Sequence, residues 1–314
     1  MQVILAQPRG FCAGVTRAIA IVERALAVHG APIYVRHEIV HNKTVVAELQ
    51  RRGAIFIEKI EDVPDGATLI FSAHGIPRGE EAKARSRDLT IYDATCPLVK
   101  KVHREVVRMH QAGKSILMIG HIGHPEVEGT MGQIDGGIQV VQNVQDVHDL
   151  PDRPGEDCAY VSQTTVSVDD AIDVIAALRE KFPGILEPKK SDVCYATQSR
   201  QDAVKTLAKA VDLILVIGSV TSSNTNRLRE VSERQGVHAK LIDSAQNIDP
   251  AWFEGIEAVG ITAGASAPET LVTGVVQYLK DHFDVESVRE LGQKEERVAF
   301  PMPKGLWDSD LETA

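Results

Sequence analysis

The sequence predicts an α/β protein of three similar units built on parallel sheets, and three observations predict it. Short apolar runs rich in Ile, Leu and Val alternate with stretches of helical periodicity along most of the 314 residues. Runs such as "TLIFSAHG" (68–75), "SILMIGHIGH" (115–124) and "DLILVIGSVTSS" (212–223) end in Gly, Ser or His. Buried strands of open α/β sheets do this where they empty into loops at their carboxyl ends. Finally, three of the four cysteines share one setting, after a strand-like segment and directly before a helix-like one.

The first unit, 1–95, opens on an apolar strand from Val3 to Ala6, turns at Pro8, Arg9 and Gly10, and starts a helix just past Cys12. "AIAIVERALAVHG" (18–30) has the spacing of a crossover helix. Two strand-end loops follow, "HEIVHN" with His41 and "SAHG" with His74. The second unit, 96–192, repeats the plan. "LTIYDAT" leads to Cys96, "PLVKKVHREVVRM" is its helix, and the loops are "GHIGHPEVEG" with His124 and Glu126 and "SQTTVS" with Thr164. In the third, 193–280, "PKKSDV" reads as the strand end before Cys194, "ATQSRQDAVKTLA" as the helix after it, and "RQDAVKTLAKAVD" (200–212) carries crossover-helix spacing. Its loops are "GSVTSSNTNRL", with Ser222, Ser223 and Asn224, and "TAGASAP" with Ser266.

The first loop residue (His41, His124, Ser222) stands 29, 28 and 28 residues beyond its cysteine, and the second (His74, Thr164, Ser266) 62, 68 and 72 beyond. One helix and one strand fit the shorter interval, so three units around a shared centre follow from spacing, not from repeated letters. The remainder, 281–314, is a tail. Its "EERVAFPMPKGLWDSDLETA" is expected to add one short strand and then fray into a solvated acidic end.

Composition narrows the function. With 43% hydrophobic and 25% charged residues the chain is an ordinary globular protein with enough length for two or three cores. A net charge of −10 argues against nucleic acid, whose phosphates need a basic face. No apolar run reaches the roughly 18 residues of a membrane span, and no secretory signal pattern opens the chain. The expected place is therefore the cytoplasm, where thiols stay reduced and a cysteine pattern points to metal or catalysis.

A thiol at a helix N-terminus has its thiolate stabilised by free N–H groups and the dipole, as a metal ligand requires. Cys12, Cys96 and Cys194 are read as ligands on that ground, and Cys158, inside strand-like "CAYVSQ", as a buried small hydrophobe. Three thiolates without a fourth suit a [4Fe–4S] cluster with one open iron; zinc spacing of the Cys-x-x-Cys kind is absent. His41, His74, Ser222, Ser223, Asn224 and Ser266 form a donor set for phosphate oxygens, although Ser-Ser-Asn equally suits helix capping. In "GHPEVEG" a proline fixes the turn holding His124 and Glu126, and a carboxyl in dry, anion-rich surroundings can donate a proton. Glu128 beside it reads as solvated, and His121 as a residue that could stand behind the first contacts.

These motifs, "RGFCAGV", "HEIVHN", "FSAHG", "DATCPLV", "GHPEVEGT", "SQTT", "CYAT", "SSNTNRL" and "TAGASAP", together resemble the IspH/LytB family, the 4-hydroxy-3-methylbut-2-enyl diphosphate reductases, over about residues 1–280. The resemblance implies three α/β domains around a central cluster held by Cys12, Cys96 and Cys194. It implies a diphosphate bound by His41, His74, Ser222, Ser223, Asn224 and Ser266, with His124 and Thr164 also at the substrate. Glu126 would deliver the proton, assisted by His124 and Thr164. The implied reaction is a two-electron reductive dehydroxylation of an allylic diphosphate to isopentenyl and dimethylallyl diphosphates, the last step of the methylerythritol phosphate route. Electrons would come from reduced flavodoxin or ferredoxin.

Two other classes compete. A non-catalytic iron–sulfur or zinc sensor of a phosphorylated metabolite would need no proton donor such as Glu126. A metal-free α/β sugar-phosphate binder would leave the matched cysteines unexplained.

Overall fold

The computed structural model describes residues 1–293 and 298–307. In chain order the first stretch forms β1 (Gln2–Gln7), α1 (Ala13–His29), β2 (Ile33–Arg36), α2 (Lys43–Arg51), β3 (Ala54–Ile57), β4 (Thr68–Phe71), α3 (Arg78–Arg85) and β5 (Thr90–Asp93). Then come α4 (Pro97–Gln111), β6 (Ser115–Ile119), α5 (Pro125–Met131), β7 (Ile138–Val141), α6 (Val144–His148), β8 (Cys158–Ser162) and α7 (Val168–Lys181). The last stretch forms α8 (Tyr195–Leu207), β9 (Leu213–Ile217), α9 (Ser223–Arg234), β10 (His238–Ile242), β11 (Ala258–Ala263), α10 (Glu269–His282) and β12 (Ser287–Gly292). Every strand pair is parallel, so the fold is α/β with helical crossovers.

The chain divides into two compact units. One comprises Met1–Ala13, His41–Val45 and Tyr195–Val298. Its sheet runs β10-β9-β11-β1-β12. Strand alternation explains why β1 and β9 read as unbroken apolar runs. Val3, Leu5, Leu213, Leu215 and Ile217 face one core with Val272, Val275 and Leu279 of α10. Ile4, Ala6, Ile214 and Val216 face another with Ala203, Val204 and Leu207 of α8 and Leu228 and Val231 of α9. Both faces are covered, so no polar alternation survives.

The other unit comprises Gly14–Val40, Val46–Cys194 and Ala299–Ala314, and holds two sheets, β3-β2-β4-β5 and β7-β6-β8. In the first, Leu69 and Phe71 pack with Ile57, Ile60, Val63 and Ala84. In the second, α4 lays Val102, Val106 and Met109 against Ile116 and Met118 of β6 and Ala159 and Val161 of β8. The opposite face, Leu117 and Ile119, packs on Val174 and Leu178 of α7.

The structure departs from the sequence expectations in four places. β1 pairs with β11 and β12, so the first residues of the expected 1–95 unit share a sheet with strands from beyond residue 212. No strand leads into Cys194: within 182–193 only Leu186 bridges, to Ala159, because "EPKKSDV" offers charge and proline where a ladder needs apolar residues and N–H groups. The helix expected over 200–212 ends at Leu207, where Asp212 turns to accept from the N–H groups of Glu257 and Ala258. The tail's strand is β12, ahead of the expected stretch. Residues 298–307 are tied down: Pro301 and Leu306 carbonyls accept from Arg17 and Arg24, and Leu306 is fully buried. The acidic end expected to be solvated lies, from 308 on, outside the described residues.

Among the described residues no helix is long and apolar enough to cross a membrane.

Candidate active site

Pro125 at the first position of α5 and His124 as its N-cap place Glu126 in the first helical turn, with His124 Nδ1 accepting from the Glu126 N–H at 3.1 Å. Glu126 is only 3% exposed. Its carboxyl is held at both oxygens by Thr164, beyond the end of β8: the backbone N–H donates to Oε1 at 2.6 Å and the hydroxyl to Oε2 at 3.0 Å. Burial pushes the carboxyl pKa up to about 7; the Thr164 hydrogen bonds oppose this and the charge of Asp192 adds to it. A carboxylic acid so poised can give a proton near neutral pH.

His74 meets His124 edge-on, ring centroids 6.0 Å apart at 86°. The turn carrying His74 needs glycine next: Gly75 has φ of +90°, and a Cβ there would come within 2.6 Å of His103 Cε1. In the same unit, Gln163 is fully buried and its Oε1 accepts from the His121 N–H at 3.1 Å. His121 therefore stands one loop back from Glu126, through its backbone.

The predicted anion donors of the other unit gather at the start of α9. Ser222 caps the helix, its hydroxyl accepting from the Thr225 N–H at 3.3 Å, and Ser223 is the first helical residue. Asn224 is 4% exposed, yet both its side-chain Oδ1 and Nδ2 are buried without a partner. The Thr225 hydroxyl is orphaned in the same way. Such groups cost about 1–3 kcal/mol each and are rare without a reason. Gly218 and Gly264 crowd this turn, since a Cβ on either would approach Thr225 Oγ1 to 2.6 and 2.1 Å. Next to it the Ser266 hydroxyl donates to the His41 carbonyl at 2.9 Å, which joins the loop after β11 to the 41–45 segment. Ser222 thus spends its hydroxyl as a helix cap, while the buried Asn224 amide is left without a hydrogen-bond partner.

Cys12, Cys96 and Cys194 form no disulfide and are partly exposed, each directly preceding the first residue of a helix (α1, α4, α8). Their backbones follow one rule. The N–H of Cys96 donates to Ala73 O at 3.0 Å, that of Cys194 to Thr164 O at 3.0 Å, and that of Cys12 to Ala265 O at 3.2 Å. Each cysteine is therefore pinned to the strand-end loop that carries His74, Thr164 or Ser266. The pairing is not the one the spacing grouped: each cysteine is held by the second loop of another expected unit, and this is so even for Cys194, which lacks a preceding strand. Cys158 differs: it is fully buried at the first residue of β8, the end away from Thr164, and burial raises its thiol pKa. Among the described residues no three His, Cys, Asp or Glu side chains converge as a single ion would need. Three thiols, each set directly before a helix, are a donor set whose chemistry suits an iron–sulfur cluster.

The family profile described as LytB protein matches residues 3–280. The chain belongs to the LytB family. A LytB relative from Bordetella pertussis, named 4-hydroxy-3-methylbut-2-enyl diphosphate reductase, is 61% identical over 97% of this chain and 94% of its own length. One of the same name from Chromobacterium violaceum is 58% identical over 97% of each. The solved structure of the E-1-hydroxy-2-methyl-but-2-enyl-4-diphosphate reductase from Plasmodium falciparum superposes with a TM-score of 0.94, at 38% identity, covering 97% of this chain and 96% of that one. LytB membership makes the chain an oxidoreductase of isoprenoid biosynthesis and implies an iron–sulfur cluster.

Sequence reasoning missed Gln163, the pair Lys101 and Asp192, and two buried arginines. Asp192 is 5% exposed; its Oδ2 accepts from the Ser162 N–H at 3.0 Å and its Oδ1 from Lys101 at 2.8 Å. The sequence signal was a basic residue early in each cysteine-led helix, at Arg17 and Arg200 in line with the apolar stripe of α1 and α8.

Proposed function

We propose that this chain reduces (E)-4-hydroxy-3-methylbut-2-enyl diphosphate to isopentenyl and dimethylallyl diphosphates, with two electrons and two protons consumed and water released. Cys12, Cys96 and Cys194 would hold a [4Fe–4S] cluster with one iron free of cysteine, which when bound supplies electrons and a Lewis acid. His41, His74, Ser222, Ser223, Asn224 and Ser266 would take the diphosphate oxygens. Remote binding of that anion converts affinity into orientation of the distal alcohol.

The observation that carries the reading is the Glu126 carboxyl, buried, fixed at both oxygens and with a pKa near 7. Hydroxide leaves poorly, so a proton must reach the alcohol oxygen as the C–O bond breaks. Glu126 would give it, with His124 and Thr164 at the substrate beside it. His124 sets its backbone, and Thr164 keeps its acidic oxygen aimed. Reduced flavodoxin or ferredoxin would be the electron donor, and the cytoplasm the place. Anaerobic turnover of the hydroxylated diphosphate with a reduced dye, beside iron and sulfide analysis, tests this. Release of both isopentenyl isomers is expected; iron–sulfur protein that binds the substrate without reducing it would leave a sensor instead.

A further inference from the structure

Each cysteine-led helix carries a cation in its second turn, and each cation grips the loop leading into a different cysteine. Arg17 of α1 follows Cys12 by five residues. Its guanidinium donates to the carbonyls of Asp93, Ala94 and Thr95 at 3.4, 3.3 and 3.3 Å, the three residues before Cys96. Lys101 of α4 follows Cys96 by five. Its ammonium donates to the carbonyls of Lys190 and Ser191 at 2.6 and 2.9 Å and to Asp192 Oδ1 at 2.8 Å, just before Cys194. Arg200 of α8 follows Cys194 by six. Its guanidinium donates to Gly10 O at 3.1 and 2.9 Å and to Phe11 O at 3.3 Å, the two residues before Cys12. The order 12 to 96, 96 to 194, 194 to 12 closes on itself.

Two of these cations are buried and the third is partly covered. Arg17 is 7% exposed, Arg200 1%, and the Lys101 side chain 25%. Burying a cation costs several kcal/mol unless its donors are satisfied and its charge is used. Besides bonds to the Pro301 and Ala196 carbonyls and the Asp192 carboxylate, the donors go to loop carbonyls, to which any buried polar donor could have donated. The recurrence of a cation at all three places points to charge as well as shape. Burial lowers the Arg17 pKa from its ordinary value, while Asp93 and the Cys96 thiolate counteract it, so guanidinium and sulfur feel each other.

We propose that Arg17, Lys101 and Arg200 are positioning residues that preset the three cysteine loops, each helix ordering the loop of the next cysteine, and that their charges favour the more negative, reduced state of the bound cluster. The second half rests on the cysteines being its ligands. Fixed positive charge near an iron–sulfur centre raises its potential, because the added electron meets it.

The experiment uses full-length Arg17→Gln, Lys101→Gln and Arg200→Gln, with Arg17→Lys and Lys101→Arg as charge-preserving partners. In the iron-free chain, iodoacetamide alkylation is followed at each cysteine by mass spectrometry. Loss of the loop's hydrogen bonds should speed alkylation about tenfold at Cys96 in Arg17→Gln, at Cys194 in Lys101→Gln and at Cys12 in Arg200→Gln. The other two cysteines in each variant should keep the wild-type rate. After reconstitution each neutral variant should lose about tenfold in the reduction equilibrium constant, 59 mV for one electron, and the charge-preserving variants should recover it. Acceleration at the variant's own helix-leading cysteine, or at all three together, overturns the positioning role; unchanged potential overturns the electrostatic one. If Arg200→Gln does not fold, Lys101→Gln decides alone, since its side chain reaches solvent. The alkylation pattern needs no iron, so its failure is distinct from failure of the wild type to take up iron and sulfide, which would sink the cluster reading.

Discussion

Replacing Glu126 by Gln keeps the outline of the side chain and both contacts to Thr164. The amide carbonyl can accept from the Thr164 N–H, and the amide NH₂ can donate to the Thr164 hydroxyl in place of the bond now accepted at 3.0 Å. What is lost is the proton. The rise of the carboxyl pKa from 4.5 to about 7 means that ionising it inside the protein costs roughly 3 kcal/mol more than in water. Two consequences follow. General acid catalysis contributes about 10²–10⁴-fold, so kcat should fall at least a hundredfold with cluster content and substrate affinity intact. The wild-type kcat should also decline above pH 7, as the acid empties, and the variant's residual rate should not. Stability should move the other way. The native state holds this proton more tightly than the unfolded chain, so the stability it confers is full below about pH 4.5 and is lost as pH rises through 7. Glu126→Gln removes that loss, so its denaturation midpoint should gain on the wild type between pH 5 and pH 8. Anaerobic kinetics across pH and denaturant melts of the iron-free chain at the two pH values measure both. Near wild-type turnover would pass the proton to His124. A wild type and variant with parallel pH dependence of stability would mean that Glu126 is already ionised in its pocket.

Single Ser replacements of Cys12, Cys96 or Cys194 should remove or cripple the cluster absorbance, while Cys158→Ser, at a fully buried site, should keep it; a normal spectrum in Cys194→Ser with loss in Cys158→Ser would refute the ligand assignment. Asn224→Ala deletes two orphaned buried polar atoms, so the ligand-free protein should melt no lower than wild type. The same change should weaken inorganic diphosphate binding by about 1.5–3 kcal/mol, roughly ten- to a hundredfold, in a competition assay; intact binding with a lowered melting temperature would make Asn224 structural. Gly75→Ala should destabilise by about 1–3 kcal/mol, because its φ of +90° strains any side chain and the new Cβ strikes His103. Its Michaelis constant should rise with it as His74 moves, and an unchanged melt would remove the steric argument.

The local pattern determined a good deal by itself. Periods of 3.6 and unbroken apolar runs are properties of neighbours in sequence, so α1, α4, β4, β6 and β9 stand where the letters place them. Cysteine-to-loop spacing grouped Cys96 with Thr164 and Cys194 with Ser266, whereas packing pins each cysteine to the loop of another group, Cys96 beside His74 and Cys194 at Thr164. Strand pairing is not local. That β1 lies between β11 and β12 depends on partners more than 250 residues away, which no window can contain. Nor could the chain alone say whether Ser222 or Asn224 would be satisfied. Capping spends a Ser hydroxyl on its own helix, whereas an amide orphaned at 4% exposure shows only once the turn has closed over it. The three basic residues make the same point. Arg17 and Arg200 lie on the buried stripes of α1 and α8, beside Gly14, Ala18 and Ile21 and beside Ala196, Ala203 and Val204, and only packing shows that they and Lys101 donate to carbonyls of the loops before the cysteines.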